Sequence, residues 1–157
     1  MRGTEMRLSE VGKQAVATIG AEESLESAAK LMRDLHVGDL IVVEFKDGRK
    51  TPVWILTDRD IVMATVALGA HPEVLNVGDI MTRKLVIARE VDSLARVIEL
   101  MKDNGVKRIP IVAESGELSG VICLEDIISQ MAEDFSSLSQ ISGKEKEKEF
   151  DRRRKFD

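Results

Sequence analysis

The sequence has no tyrosine, one tryptophan, four phenylalanines and one cysteine. With so few aromatic rings, a packed interior has to be assembled from Val, Ile, Leu, Met and Ala. The single cysteine, Cys123, excludes an intramolecular disulfide and suits a reducing compartment. Its neighbours in Val121-Ile-Cys-Leu124 are apolar, so it reads as a small buried hydrophobe; a thiolate nucleophile would want a partner base. There are two histidines, His36 and His71, neither at ligand spacing from a cysteine or carboxylate. A zinc site needs about four convergent ligands, so no metal is predicted. No apolar run approaches the ~18 residues of a membrane span, and Met1 to Glu10 lacks the apolar stretch of a signal peptide. The expected location is the cytoplasm, away from membranes. Neither G-x-G-x-x-G nor a P-loop occurs, and nothing in the residues points to an enzyme.

What is present is a strongly charged chain with an aliphatic interior: 43% apolar and 32% charged residues, net charge −5. That charge argues against a nucleic-acid partner. The basic run Arg152 to Lys155 alone would give only weak, salt-sensitive affinity. The chain also repeats itself. Ser24 to Val43 aligns without a gap on Ser93 to Val112, an offset of 93 − 24 = 69, with 7 of 20 positions identical. The register resumes at Ile55 to Ile61 against Val121 to Ile127, an offset of 126 − 60 = 66. Three extra residues therefore sit in the first copy, and Lys46 to Thr51 is the expected loop that holds them. A chance match would not restart in phase, so the sequence contains a duplication.

Each copy predicts the order β-α-β-β-α, an α+β fold. A short strand (Ala15 to Ile19; Leu85 to Ala88) precedes a helix capped by Ser24 or Ser93. Two strands follow (Leu40 to Phe45 and Val53 to Leu56; Ile109 to Val112 and Leu118 to Ile122), joined by hairpin-turn sequences at Lys46-Asp-Gly48 and Glu114-Ser-Gly116. A second helix begins near Asp60 or Asp126. The predicted domains are 8–69 and 78–135, with a connector at 70–77 and a charged tail at 136–157. Ile128, Met131, Phe135, Leu138 and Ile141 fall on one helical face, Ser142-Gly143 is expected to break the helix, and the part beyond it to stay solvated or disordered.

Two stretches could carry chemistry. Thr57-Asp-Arg-Asp60 stands at a strand-to-helix junction and reads first as a capping box. The second copy keeps the acid as Asp126 but replaces the threonine with Cys123, which cannot cap in the same way. A second role for the acid, accepting hydrogen bonds from a vicinal diol such as that of a ribose, would explain its retention. The other stretch is Val106-Lys-Arg-Ile-Pro110. Adjacent cations on a strand are usually surface, but the first copy has Val37-Gly-Asp-Leu-Ile41 with no cation, as if only one copy served an anion.

The repeat order, Val77-Gly-Asp-Ile-Met-Thr82, Val106-Lys-Arg-Ile-Pro-Ile-Val112 and Thr57-Asp-Arg-Asp60 together resemble a tandem pair of CBS domains, across about residues 8 to 135. The resemblance implies a stand-alone pseudo-twofold module with two clefts, which usually pairs into a homodimer and regulates a protein target that the sequence does not name. In that family the clefts commonly hold adenosine compounds: AMP or ATP first, NAD or S-adenosylmethionine as alternatives. Carried over, one cleft combines Ile55, Thr57, Arg59 and Asp60 with Met81, Val86, Val106, Lys107 and Arg108. Asp60 is expected to take the ribose hydroxyls, Thr57 the ribose or phosphate, and Lys107, Arg108 or Arg59 the phosphate; Val86 and Val106 would flank the base. A second cleft combines Ala17, Val37, Val121, Cys123 and Asp126, with Asp39 repelling phosphate there. Trp54, where the second copy has Gly120, is expected to narrow a cleft or pack on a partner. The competing reading is a ligand-free interaction and dimerisation module.

Overall fold

The computed structural model describes Leu8, Gly12, residues 15–82 and residues 84–154, with side chains described as far as Ile141. Packing divides it into two units that part between Ile122 and Cys123. The first unit is built from both copies of the repeat. In the first copy β1 (Thr18–Gly20), α1 (Leu25–Leu35), β2 (Asp39–Lys46), β3 (Arg49–Thr57) and α2 (Asp58–Ala64) follow one another. In the second, β4 (Ala88–Arg89), α3 (Leu94–Asn104), β5 (Arg108–Val112) and β6 (Leu118–Cys123) repeat the order. Each copy forms a three-stranded sheet, β1-β2-β3 and β4-β5-β6. The crossover pairs β1–β2 and β4–β5 are parallel, and β2–β3 is antiparallel.

Local chemistry explains the boundaries. Ser24 and Ser93 accept the N–H of Ser27 and Arg96 and start α1 and α3 as N-caps. The two helices stop at equivalent residues, His36 and Gly105, both left-handed with φ 54° and 63°. His36 is thus a C-cap, which accounts for one of the two histidines. The outer strands are shorter than the apolar pattern predicts: β1 is Thr18–Gly20 rather than Ala15 to Ile19, and β4 is Ala88–Arg89 rather than Leu85 to Ala88. Apolar periodicity reports burial, whereas a ladder needs a bonded neighbour along its length.

The three extra residues lengthen the arms of the first hairpin instead of forming a loop. From Asp39 to Thr57 there are 19 residues and from Arg108 to Cys123 there are 16, a difference of three. The reversal itself is two residues, Asp47 and Gly48, both at positive φ (51° and 77°), the geometry of a primed hairpin turn. A register shift between Val42 and Val43 absorbs the odd number.

The core of the first copy lies between its sheet and α1. Ile19, Leu40, Val42, Trp54 and Leu56 meet Leu25, Ala28 and Met32, with Ile61 and Val77 closing the cluster. Alternation puts Pro52, Trp54 and Leu56 on the buried side of β3, and Val53, Ile55 and Thr57 on the other. Trp54 is 6% exposed within this cluster, so it fills the sheet–helix interior; the expectation that it narrows a cleft or meets a partner is corrected. Gly12 reaches the second sheet, where a Cβ on it would stand 2.7 Å from Ile111 Cδ1 and 3.3 Å from the Val121 carbonyl oxygen; Leu8, whose carbonyl accepts the Gly12 N–H at 2.7 Å, is fully buried. Connector atoms hold the start of α1, with Leu25 N–H donating to Leu75 O (2.9 Å) and Glu26 N–H to Pro72 O (3.1 Å).

Among the described residues, the second unit past Cys123 is one helix, α4 (Leu124–Arg154). The expected break at Ser142-Gly143 does not occur. A glycine inside a helix costs only about 1 kcal/mol against alanine, and the Lys and Glu residues that follow are good helix formers. Ile128, Met131, Phe135, Leu138 and Ile141 are all exposed on it. Lys155, part of the predicted basic run, lies outside the described residues. Among the described residues no helix is long and apolar enough to cross a membrane.

Candidate ligand-binding site

The Thr57–Asp60 junction is a complete capping box. Thr57, extended at φ −107° and ψ 159°, ends β3 and caps α2. Its hydroxyl oxygen accepts the Asp60 N–H at 3.1 Å and donates its proton to Asp60 Oδ2 at 2.6 Å. The same Oδ2 accepts the Thr57 backbone N–H at 2.9 Å. Asp60 therefore commits one carboxylate oxygen to the backbone and keeps Oδ1 for other partners. Both residues are half-buried, whereas Arg59 and Asp58 beside them are exposed. Asp58 Oδ1 accepts the Arg59 N–H (2.7 Å), and the Asp58 N–H donates to Gly38 O (2.9 Å), which ties the start of α2 to the turn before β2.

The register of the first hairpin brings a further residue to this junction. Asp39 is the cross-strand partner of Thr57, and Ile41 that of Ile55. Directly opposed residues share a face, with Cβ atoms about 4.5–5.5 Å apart. Asp39 also forms an ion pair, Oδ2 to Arg108 Nη1, with the two side chains 20% and 33% exposed. The Asp39 carboxylate therefore stands beside Thr57 and holds Arg108. The first residue of β5 is brought to the end of β3 through this pair. The signal was available in the repeat, because 39 + 69 = 108 makes the two residues equivalent positions of the two copies.

The other expected residues are placed as follows. Ile55 is half-buried on the Thr57 face of β3. Met81 is half-buried and packs against the core of the first copy. Val86 is half-buried in the segment before β4, and Val106 is half-buried with its N–H bonded to Met101 O (3.1 Å) at the end of α3. Lys107 is exposed, one residue before β5. In the second expected set, the Ala17 carbonyl accepts the Ile41 N–H (2.9 Å) and the Val37 N–H donates to Met32 O (3.0 Å). Val121 and Cys123 are buried in β6, and Asp126 is half-buried in the first turn of α4. An open concavity lined by Thr18, Glu22, Glu23, Phe45 and Lys50 lies toward the hairpin tip and contains none of these residues. Among the described residues no group of three or more His, Cys, Asp or Glu side chains could hold a metal ion.

Comparison with known proteins agrees with the duplication. A family model for the CBS domain matches residues 8–67 and 77–133. An uncharacterized protein of Methanopyrus kandleri is 31% identical over 77% of this chain, a stretch that spans 60% of that protein. Hypoxic response protein 1 of Mycobacterium tuberculosis is 28% identical over 75% of this chain and 80% of its own length. A crystal structure of Hypoxic Response Protein I with two coordinated zinc ions, at 27% identity, covers 79% of this chain and 98% of the other with a TM-score of 0.68. A Pyrobaculum aerophilum CBS domain protein complexed with AMP shares the fold at 23% identity, covering 77% of this chain and 89% of the other with a TM-score of 0.68.

Proposed function

Because the chain belongs to the CBS-domain family, as a tandem pair, we propose that it is a cytoplasmic regulatory module that binds an adenine nucleotide where β3 enters α2. The observation that carries this is the convergence of Thr57, Asp60 and Arg108. A carboxylate with one uncommitted oxygen, suited to a ribose diol, stands at the same sheet end as a guanidinium drawn in from β5. Arg59 and Lys107 are the exposed cations nearest in sequence for a phosphate, and Ile55, Met81, Val86 and Val106 supply half-buried apolar surface for a base. AMP in the Pyrobaculum aerophilum complex is a property of that protein; it supports the choice of ligand class here. AMP and ATP are the first candidates, NAD and S-adenosylmethionine the others.

Calorimetric titration with AMP, ATP and adenosine tests this reading. Asp60→Asn keeps the shape of the side chain but removes the charge, and a hydrogen bond to a charged group is worth roughly 1.5–3 kcal/mol. Binding should weaken about ten- to a hundred-fold, whereas Asp126→Asn should do far less to the same ligand. The absence of any adenine compound binding below millimolar, or a larger loss in Asp126→Asn, would overturn the assignment.

A second reading has its own observation. Val62, Met63, Val66 and Leu68, on α2 and the turn after it, are 50–77% exposed in the chain. We propose that a second copy covers this face and that the protein is a homodimer. The interaction reading stands alone if the dimer forms and no adenine compound binds.

A further inference from the structure

We infer that Asp39 is a specificity-determining residue that sets how much negative charge the ligand can carry, favouring a nucleoside or nucleoside monophosphate over a triphosphate. This rests on the proposed adenine site and deepens it. The inference begins with the Asp39–Arg108 ion pair and the placement of Asp39 opposite Thr57. Among the described residues, Arg108 is the cation from the second copy that the structure ties by an ion pair to the Thr57–Asp60 junction. It arrives with its charge already matched by Asp39.

A polyphosphate recruits arginine by replacing its existing partner, since a planar guanidinium gives its best hydrogen bonds to one bidentate anion at a time. Taking Arg108 from Asp39 would leave a carboxylate only one-fifth exposed without its counter-ion, a costly state. The surrounding acids add to the effect. Asp58 and Asp60 open α2 beside Thr57, so Asp39, Asp58 and Asp60 balance Arg59, Lys107 and Arg108 in formal charge. A ligand with several phosphates meets no net positive field. One with a single phosphate, or none, can use the uncommitted Asp60 Oδ1 and the exposed Lys107 or Arg59 while the Asp39–Arg108 pair stays closed.

The test compares wild type with Asp39→Asn, titrated with adenosine, AMP, ATP and inorganic tripolyphosphate, each with a thermal midpoint recorded. Asp39→Asn should raise ATP affinity at least ten-fold while adenosine affinity changes less than about three-fold. Tripolyphosphate affinity should rise as well, and Asp39→Asn combined with Arg108→Gln should abolish both gains. If adenosine binds but Asp39→Asn leaves the ATP-to-adenosine ratio unchanged, the charge role of Asp39 is wrong and the adenine site stands. If tripolyphosphate affinity rises in Asp39→Asn while neither protein binds adenosine, the charge role stands and the adenine reading falls. No binding of any of the four by either protein overturns both. Asp39→Ser replaces Asp39→Asn if the latter does not fold, with the same outcomes.

Discussion

Replacing Thr57 by valine removes a hydroxyl and almost nothing else in volume, so it isolates the capping box. Two hydrogen bonds disappear: Asp60 N–H to the Thr57 hydroxyl at 3.1 Å and the hydroxyl proton to Asp60 Oδ2 at 2.6 Å. A third, Thr57 N–H to Asp60 Oδ2 at 2.9 Å, remains because it uses the backbone. Loss of an N-cap side chain costs about 0.5–2 kcal/mol. Valine suits the extended backbone of Thr57 well, which offsets part of that loss, so about 1 kcal/mol is expected. For a chain of 157 residues, a change of that size lowers the thermal midpoint by about 2–4 °C. Thr57→Ser, which keeps the hydroxyl, should stay within about 1 °C of wild type. Urea unfolding of the three proteins, followed by circular dichroism, measures the differences. A valine variant as stable as wild type would show that the hydroxyl is not capping α2. A serine variant as damaged as the valine one would show that the methyl group, rather than the hydroxyl, matters.

The remaining predictions concern the interior, the turn, the helix and assembly. Trp54→Ala should cost about 3–5 kcal/mol, as large core truncations do; a loss under about 1 kcal/mol would place the indole outside the core. Since Trp54 lies on the opposite face of β3 from Ile55 and Thr57, its emission should be blue-shifted in the native state and change little on ligand titration. Gly48→Ala, at φ 77°, should cost about 1–2 kcal/mol through left-handed backbone strain, seen as a lower urea midpoint with an unchanged slope. Truncation after Gly143 removes 11 helical residues, 144–154, and should reduce the far-ultraviolet helix signal, which an already irregular tail would leave untouched. Light scattering should give about twice 17.4 kDa, and Val66→Asp, at a residue 77% exposed in the chain, should yield monomers without lowering the monomer's own stability.

The order of elements was legible because the duplication supplied two independent statements of one pattern. Serine caps, the helical apolar stripe and the Asp47-Gly48 turn all act locally, within a few residues, and each appears where the pattern predicts it. The errors came where local signals do not decide. Extra residues between two strands look like a loop in sequence, yet they lengthened the arms, because a two-residue turn with both residues at positive φ remains the tightest closure. Ser142-Gly143 reads as a stop, but the cost of one glycine is smaller than the summed preference of the residues on either side. The bulk of Trp54 does not say which side of β3 it takes, but its parity does. Strand alternation from Pro52 and Leu56 already fixes it on the buried face.

The site shows why divergence between repeats needs a geometric reading before a functional one. Asp39 and Arg108 occupy the same position in the two copies, and the loss of one sign and gain of the other suggested that only one copy serves an anion. Their ion pair supplies a different cause. Equivalent positions near an approximate twofold axis face each other, so identical charged residues there would repel, and opposite charges attract. Fixing Asp in one copy therefore selects a cation in the other, with or without a ligand. The same logic separates the two roles of Asp60. Its retention as Asp126 in a copy without the threonine hinted at something beyond capping, and the structure gives Oδ2 to the cap while Oδ1 has no hydrogen-bond partner among the described residues. A carboxylate that only capped would tolerate Asp60→Asn in every assay except stability. One that also holds a ligand loses affinity at a temperature where the asparagine variant is still fully folded.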